Sequence, residues 1–123
     1  PSLPNDEARA DMSSRESGSK YEKTAYVVIC RDGPNGATVR AAYTPQHMAY
    51  IETVLGELNV AGPLYDQPPT DPVGSLYCLH TSSLVRAREI IENDPYFVHG
   101  AFASVEYFPH LPAAGRYVGG KIW

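Results

Sequence analysis

Apolar positions follow two rhythms along the chain. TAYVVICRD (24–32) is an unbroken apolar, β-branched run of strand length, closed by the turn residues GPNG. TPQHMAYIETVLGELN (44–59) then changes period: Met48, Ile51, Leu55 and Leu58 recur at spacings of three and four, one apolar helical face. Thr44 serves as N-cap and Pro45 fits the first turn, where a missing N–H is harmless. Gly56 weakens the end of this helix. VAGPLYD (60–66) is a short strand, and Gly62-Pro63 inside it marks a sheet edge. After the stiff loop QPPTDP comes a second strong strand, VGSLYCLHT (73–81). Ser82 or Ser83 caps LVRAREIIEN, in which Leu84, Ala87 and Ile91 face one way. Pro95 ends or kinks that helix and pushes Asp94 out of the α region. FASVEYFP (102–109) is the last full strand.

The order is strand, helix, strand, strand, helix, strand. That predicts an α+β domain with the ferredoxin-like βαββαβ arrangement and a four-stranded antiparallel sheet. Both helices then lie on one sheet face. The strands are apolar on both parities, however: Tyr26, Val28 and Cys30 alternate with Val27 and Ile29, and Leu76 and Cys78 with Tyr77 and Leu79. The second face needs a cover, so a homodimer packed sheet to sheet is expected. Residues 1–22 are polar and read as a flexible extension; 23–123 form the domain with its tail. The tail HLPAAGRYVGGKIW ends in Trp123, which is expected to pack on a neighbour.

With 123 residues, 43% of them apolar, the chain builds one domain with a real core. Its formal net charge of −4 and scattered Lys and Arg argue against nucleic acid as a partner. No apolar run approaches the ~20 residues of a membrane span, and the first residues lack a signal-peptide core. Cys30 and Cys78 sit in strand-like runs and read as buried free thiols, which points to a reducing, cytoplasmic setting.

His47 and Asp94 carry the candidate chemistry. His47 flanks the apolar face of the first helix, beside Tyr50 and Val54, and imidazole is the ordinary acid–base group near neutral pH. Asp94 reads either as a helix terminator or as a carboxylate aimed at an imidazole, since helices side by side on one sheet face can bring the two together. Ser75, beside Gly74, is a candidate hydrogen-bond donor to a ligand. Tyr96, Phe97 and Phe102 suit a core or an interface more often than a ligand wall. His80, His99 and His110 lack ligand spacing, so no metal is expected, and no phosphate-loop motif occurs.

AYVVICRDGPNG, PQHMAYIETV, NVAGPLYD, GSLYCLH and AREIIENDPYFVHGAFASVEYFP, in this order from about residue 24 to 109, resemble the YciI-like (YCII-related) family. The resemblance implies a dimeric α+β barrel and an active site containing a His–Asp pair, here His47 and Asp94, with Ser75 from the GS pair. It also implies kinship with a dehydrochlorinase of a chlorinated hydroxyhydroquinone and with the muconolactone isomerase group. Members commonly carry Arg three residues before the helix His, where this chain has Thr44. Arg40 is the residue that reaches the same space from the preceding turn. His99 is a departure from the family block.

Two functions follow. One is a cofactor-free enzyme that abstracts a proton, with elimination or isomerisation, from a small cyclic enol or phenol. His47 would move the proton, with Asp94 orienting it, Ser75 or a backbone N–H holding the oxyanion, and Arg40, Tyr50, Tyr96, Phe97 and Phe102 around the substrate. The other is a non-catalytic dimer that binds a small ligand or a protein. An enclosed pocket with both polar groups facing in favours the first; a filled core favours the second.

Overall fold

The computed structural model describes residues 24–67 and 70–122. The extension (1–22) and Trp123 therefore lie outside the described residues. The elements run β1 (Ala25–Asp32), α1 (Gly36–Thr53), a 3-10 turn (Leu55–Glu57), β2 (Leu58–Tyr65), β3 (Pro72–Leu79), α2 (Leu84–Glu92), α3 (Pro95–Val98) and β4 (Phe102–His110). A two-stranded ribbon of β5 (Ala114–Gly115) and β6 (Gly120–Lys121) follows. The main sheet has the order β2-β3-β1-β4, all antiparallel, which is the ferredoxin-like arrangement. β2, with Gly62 and Pro63, lies at the edge where its sequence places it.

Strand register divides the apolar positions between two faces. Tyr26, Val28 and Cys30 pair with Leu79, Tyr77 and Ser75, and this face packs on Val54, Ala87, Ile90 and Ile91 of the helical layer. Leu79, Ile90 and Ile91 are fully enclosed, each worth about 1.5–3 kcal/mol against exposure. The opposite face carries Val27, Ile29, Leu76 and Cys78, and continues onto Phe108, which is half exposed. β1 and β3 approach closely at Gly74, where a side chain would collide with the Cys30 carbonyl.

The first helix departs from its sequence expectation. It starts at Gly36, eight residues before Thr44, and ends at Thr53, so Leu58 belongs to β2 rather than to the helix. It bends at Tyr43 (φ −123°, ψ 15°). Pro45 has no N–H for the Ala41 carbonyl, and the Thr44 hydroxyl takes the Arg40 carbonyl; both open the helical ladder at this point. The buried stripe is accordingly shifted. Tyr50, Ile51 and Val54 pack on the core, while Met48 and Leu55 are 55% and 61% exposed.

The second helix ends at Glu92, close to expectation. Asp94 then adopts an extended conformation (φ −68°, ψ 131°) and caps α3, whose first residue is Pro95. Its carboxylate accepts from the Tyr96 backbone N–H at 2.9 Å.

Candidate active site

The bent helix lays one stripe along a cavity of about 580 Å³. Ala37, Arg40, Ala41, Thr44, His47, Met48 and Ile51 recur on it at spacings of three and four, the period of one helix face. β2 and β3 form the opposite wall with Gly62, Pro63, Ser75 and Tyr77, and Tyr96 closes one side.

His47 Nδ1 lies 2.8 Å from Asp94 Oδ1. Asp94 is 1% exposed, the only carboxylate so deeply buried among the described residues, and it accepts two further bonds: Tyr77 O–H donates to Oδ2 at 2.7 Å, and the Tyr96 N–H to Oδ1. With both Asp94 oxygens already accepting, the His47 ring nitrogen that faces Oδ1 is placed to donate to it. Nδ1–H donates to Asp94, and Nε2 is the nitrogen left for a molecule in the cavity. The Tyr96 ring stacks on the imidazole at 3.9 Å between centroids, 8° from parallel, and fixes its plane. Burial, then the charge and hydrogen bond of Asp94, pushes the Tyr77 hydroxyl far above its ordinary range, so it remains a donor.

The second polar group is Arg40, two helical turns before His47. Nε and Nη2 grip Asp32 Oδ2 and Oδ1 at 2.8 and 2.9 Å, and Nη2 also donates to Ser75 Oγ at 3.0 Å. Burial works against the guanidinium charge, but the hydrogen bond and charge of Asp32 outweigh it and raise the pKa. Gly36 leaves room for this arrangement, since a Cβ there would strike the Asp32 carboxylate. Nη1 has no partner among the described residues, and neither does the hydroxyl hydrogen of Ser75. Both residues line the cavity.

His47, Asp94, Ser75, Arg40 and Tyr96 are thus brought together. Tyr50, Phe97 and Phe102 are not on the cavity lining. The Tyr50 hydroxyl donates to the Ile90 carbonyl at 2.7 Å, and Phe97 and Phe102 pack against the core, Phe102 with its ring 5.9 Å from Arg40 Cζ. His99 stacks on Tyr43 at 3.7 Å, outside the lining. The sequence reading missed Tyr77, Asp32 and Asp71. Tyr77 is an aromatic in an apolar strand, and only its pairing with Val28 puts it on the helix face. Asp32 closes the first strand, and no local pattern ties it to Arg40 eight residues on.

Cys30 and Cys78 are free and buried; burial, then the Asp94 charge, pushes the Cys30 thiol up to about 12. Among the described residues no cluster of three or more His, Cys, Asp or Glu side chains is placed to hold a metal ion, and no described helix is long and apolar enough to cross a membrane.

Comparison with curated proteins gives no match. Among solved structures, the fold resembles 5-chloro-2-hydroxyhydroquinone dehydrochlorinase from Burkholderia phenoliruptrix AC1100, in complex with 2,5-dihydroxybenzoquinone. The two are 26% identical, with a TM-score of 0.65, over 76% of this chain and 97% of that one. Residues 24–110, from the start of β1 to the end of β4, match the model of the YCII-related domain. The four-stranded sheet, all three α-helices and the whole His–Asp arrangement fall inside that match, and the chain belongs to the YCII-related domain family.

Proposed function

We propose that the protein is a small acid–base enzyme acting on a cyclic enol or phenolic compound by proton abstraction with elimination or isomerisation. The observation that carries this reading is the buried His47–Asp94 pair opening on a cavity whose same helical wall presents Arg40. A cavity rather than a filled core also favours catalysis over a purely structural dimer.

His47 Nε2 takes a proton from a ring hydroxyl or an activated C–H of the substrate. Asp94 holds the imidazole in the Nδ1–H tautomer and offsets the charge of the imidazolium that forms. The electron pair released moves through the ring to an oxygen; in the elimination branch a hydroxyl proton is returned to the chlorine-bearing carbon, and loss of a second hydroxyl proton then expels chloride and leaves the quinone. Arg40 Nη1 and the Ser75 hydroxyl are the donors for the oxygen that gains charge. The dehydrochlorinase among the solved structures supports the elimination branch.

The test is turnover of 5-chloro-2-hydroxyhydroquinone, read as chloride release, and deuterium wash-in beside the carbonyls of cyclohexane-1,4-dione, an uncharged enolisable ketone. His47→Ala is expected to lower whichever rate the native protein shows by about 10²–10⁴-fold. Full turnover in that variant would exclude His47 as the base.

A homodimer belongs to the same proposal. The sheet face of Val27, Ile29, Leu76 and Phe108 is apolar and has no described layer over it, and a second copy provides a matching sheet. Phe108→Lys is expected to halve the mass seen by light scattering; an unchanged mass would place the interface elsewhere. The free thiols Cys30 and Cys78 suit the reducing conditions of a cytoplasm.

A further inference from the structure

The charges around the cavity are unevenly matched. Its described lining has one fixed cation, Arg40, and one carboxylate, Asp71. Two more carboxylates stand directly behind the lining: Asp32, bonded to Arg40, and Asp94, bonded to His47. One fixed cation therefore stands among three carboxylates. The Nε–Nη2 edge of Arg40, the fork that would grip a carboxylate in bidentate fashion, is already filled by Asp32, and the remaining Nη2 hydrogen is on Ser75. What is left is Nη1, with the Ser75 hydroxyl hydrogen beside it.

From this we infer that the cavity selects a small cyclic substrate with no standing anionic group, such as an uncharged phenol or enolisable ketone, and that Asp71 helps reject carboxylated analogues. The inference rests on the acid–base reading of the site and sharpens its substrate class. Arg40 Cζ and the His47 ring lie 5.0 and 3.9 Å from the centroid of the same Tyr96 ring, close enough for one small ring to meet both groups. An uncharged oxygen on Nη1 gains its negative charge only as His47 removes the proton, so Arg40 assists the transition state more than the bound ground state. A substrate that arrives as a carboxylate meets Asp71 on the lining and finds the Nε–Nη2 fork filled, with only Nη1 and the Ser75 hydroxyl to offset the repulsion.

Two probes of nearly equal shape separate the cases: 4-hydroxyacetophenone, uncharged at pH 7, and 4-hydroxybenzoate, which bears a carboxylate. Each is titrated into the full chain while the amide spectrum of the cavity residues is followed by NMR. The ketone is expected to bind at least roughly tenfold more tightly, and Asp71→Asn, an exposed substitution, to narrow that ratio several-fold. Equal or tighter binding of 4-hydroxybenzoate overturns the charge selection and leaves the acid–base proposal standing. An unchanged ratio in Asp71→Asn overturns the role of Asp71. If neither probe moves the cavity signals, both the selection and the phenol-site reading fall. Turnover is not the readout, so loss of catalysis cannot be mistaken for loss of selectivity.

Discussion

Asp94 shows how one residue serves structure and chemistry together. Pro95 denies it helical geometry, the Tyr96 N–H makes it a cap, and the same oxygen that accepts the cap bond faces His47. Sequence carried the first part, because Asn-Asp-Pro is local chemistry. The imidazole partner depended on how α1 and α3 pack, and nothing within a few residues of Asp94 encodes that. Asp94→Asn should keep the shape, with the amide oxygen on the Tyr96 N–H and on Nδ1–H and the N–H₂ donating to the Tyr77 oxygen; the charge that offsets the imidazolium is lost, and turnover should fall by about 10²–10⁴-fold with the fold retained. Activity within a few-fold of native would remove Asp94 from the catalytic account. Tyr77→Phe should leave Asp94 Oδ2 an unpaired buried acceptor and lower stability by about 1–3 kcal/mol in denaturant unfolding.

At the scale of elements, the strands and α2 were legible and the first helix was not. The strands announce themselves by continuous apolar runs bounded by turn residues, and α2 by its Ser83 cap, whose side chain accepts from the Arg86 N–H. The front half of α1 has no such signal. Asn35 makes no side-chain cap bond, and the segment GATVRAAY buries Val39 and Arg40 rather than a long apolar stripe. What holds it is the grip of Arg40 on Asp32 across the β1–α1 junction, a tertiary contact. The junction should be sensitive to space. Gly36→Ala drives a methyl into the Asp32 carboxylate, and is expected to cost about 1–3 kcal/mol and to disturb the Arg40 Nε–H signal in NMR. An undisturbed Arg40 would mean that Asp32 moves without loosening it.

At the scale of the whole molecule, the core holds several groups in their protonated forms. Burial first, and then nearby negative charge, raises Cys30 and Tyr107 to about 12, and Tyr77 further. The unfolded chain releases these protons at lower pH than the folded one, so rising pH favours unfolding. Their stabilising contribution is complete below about pH 8.5, the ordinary thiol value, and is lost as pH climbs toward 12. Thermal midpoints should fall across that range, and Cys30 should resist alkylation at pH 8 until the protein unfolds. The same packing that buries Tyr77 makes it a permanent donor to Asp94, which in turn sets the hydrogen on His47. The most direct test of the acid–base account is therefore the nitrogen-15 long-range spectrum of the His47 ring in the folded, unliganded chain. The neutral imidazole should carry its hydrogen on Nδ1, with Nε2 unprotonated, and that preference should be lost in Asp94→Ala, which removes the acceptor. A neutral ring protonated at Nε2 in the native protein, or one indifferent to Asp94→Ala, would contradict it.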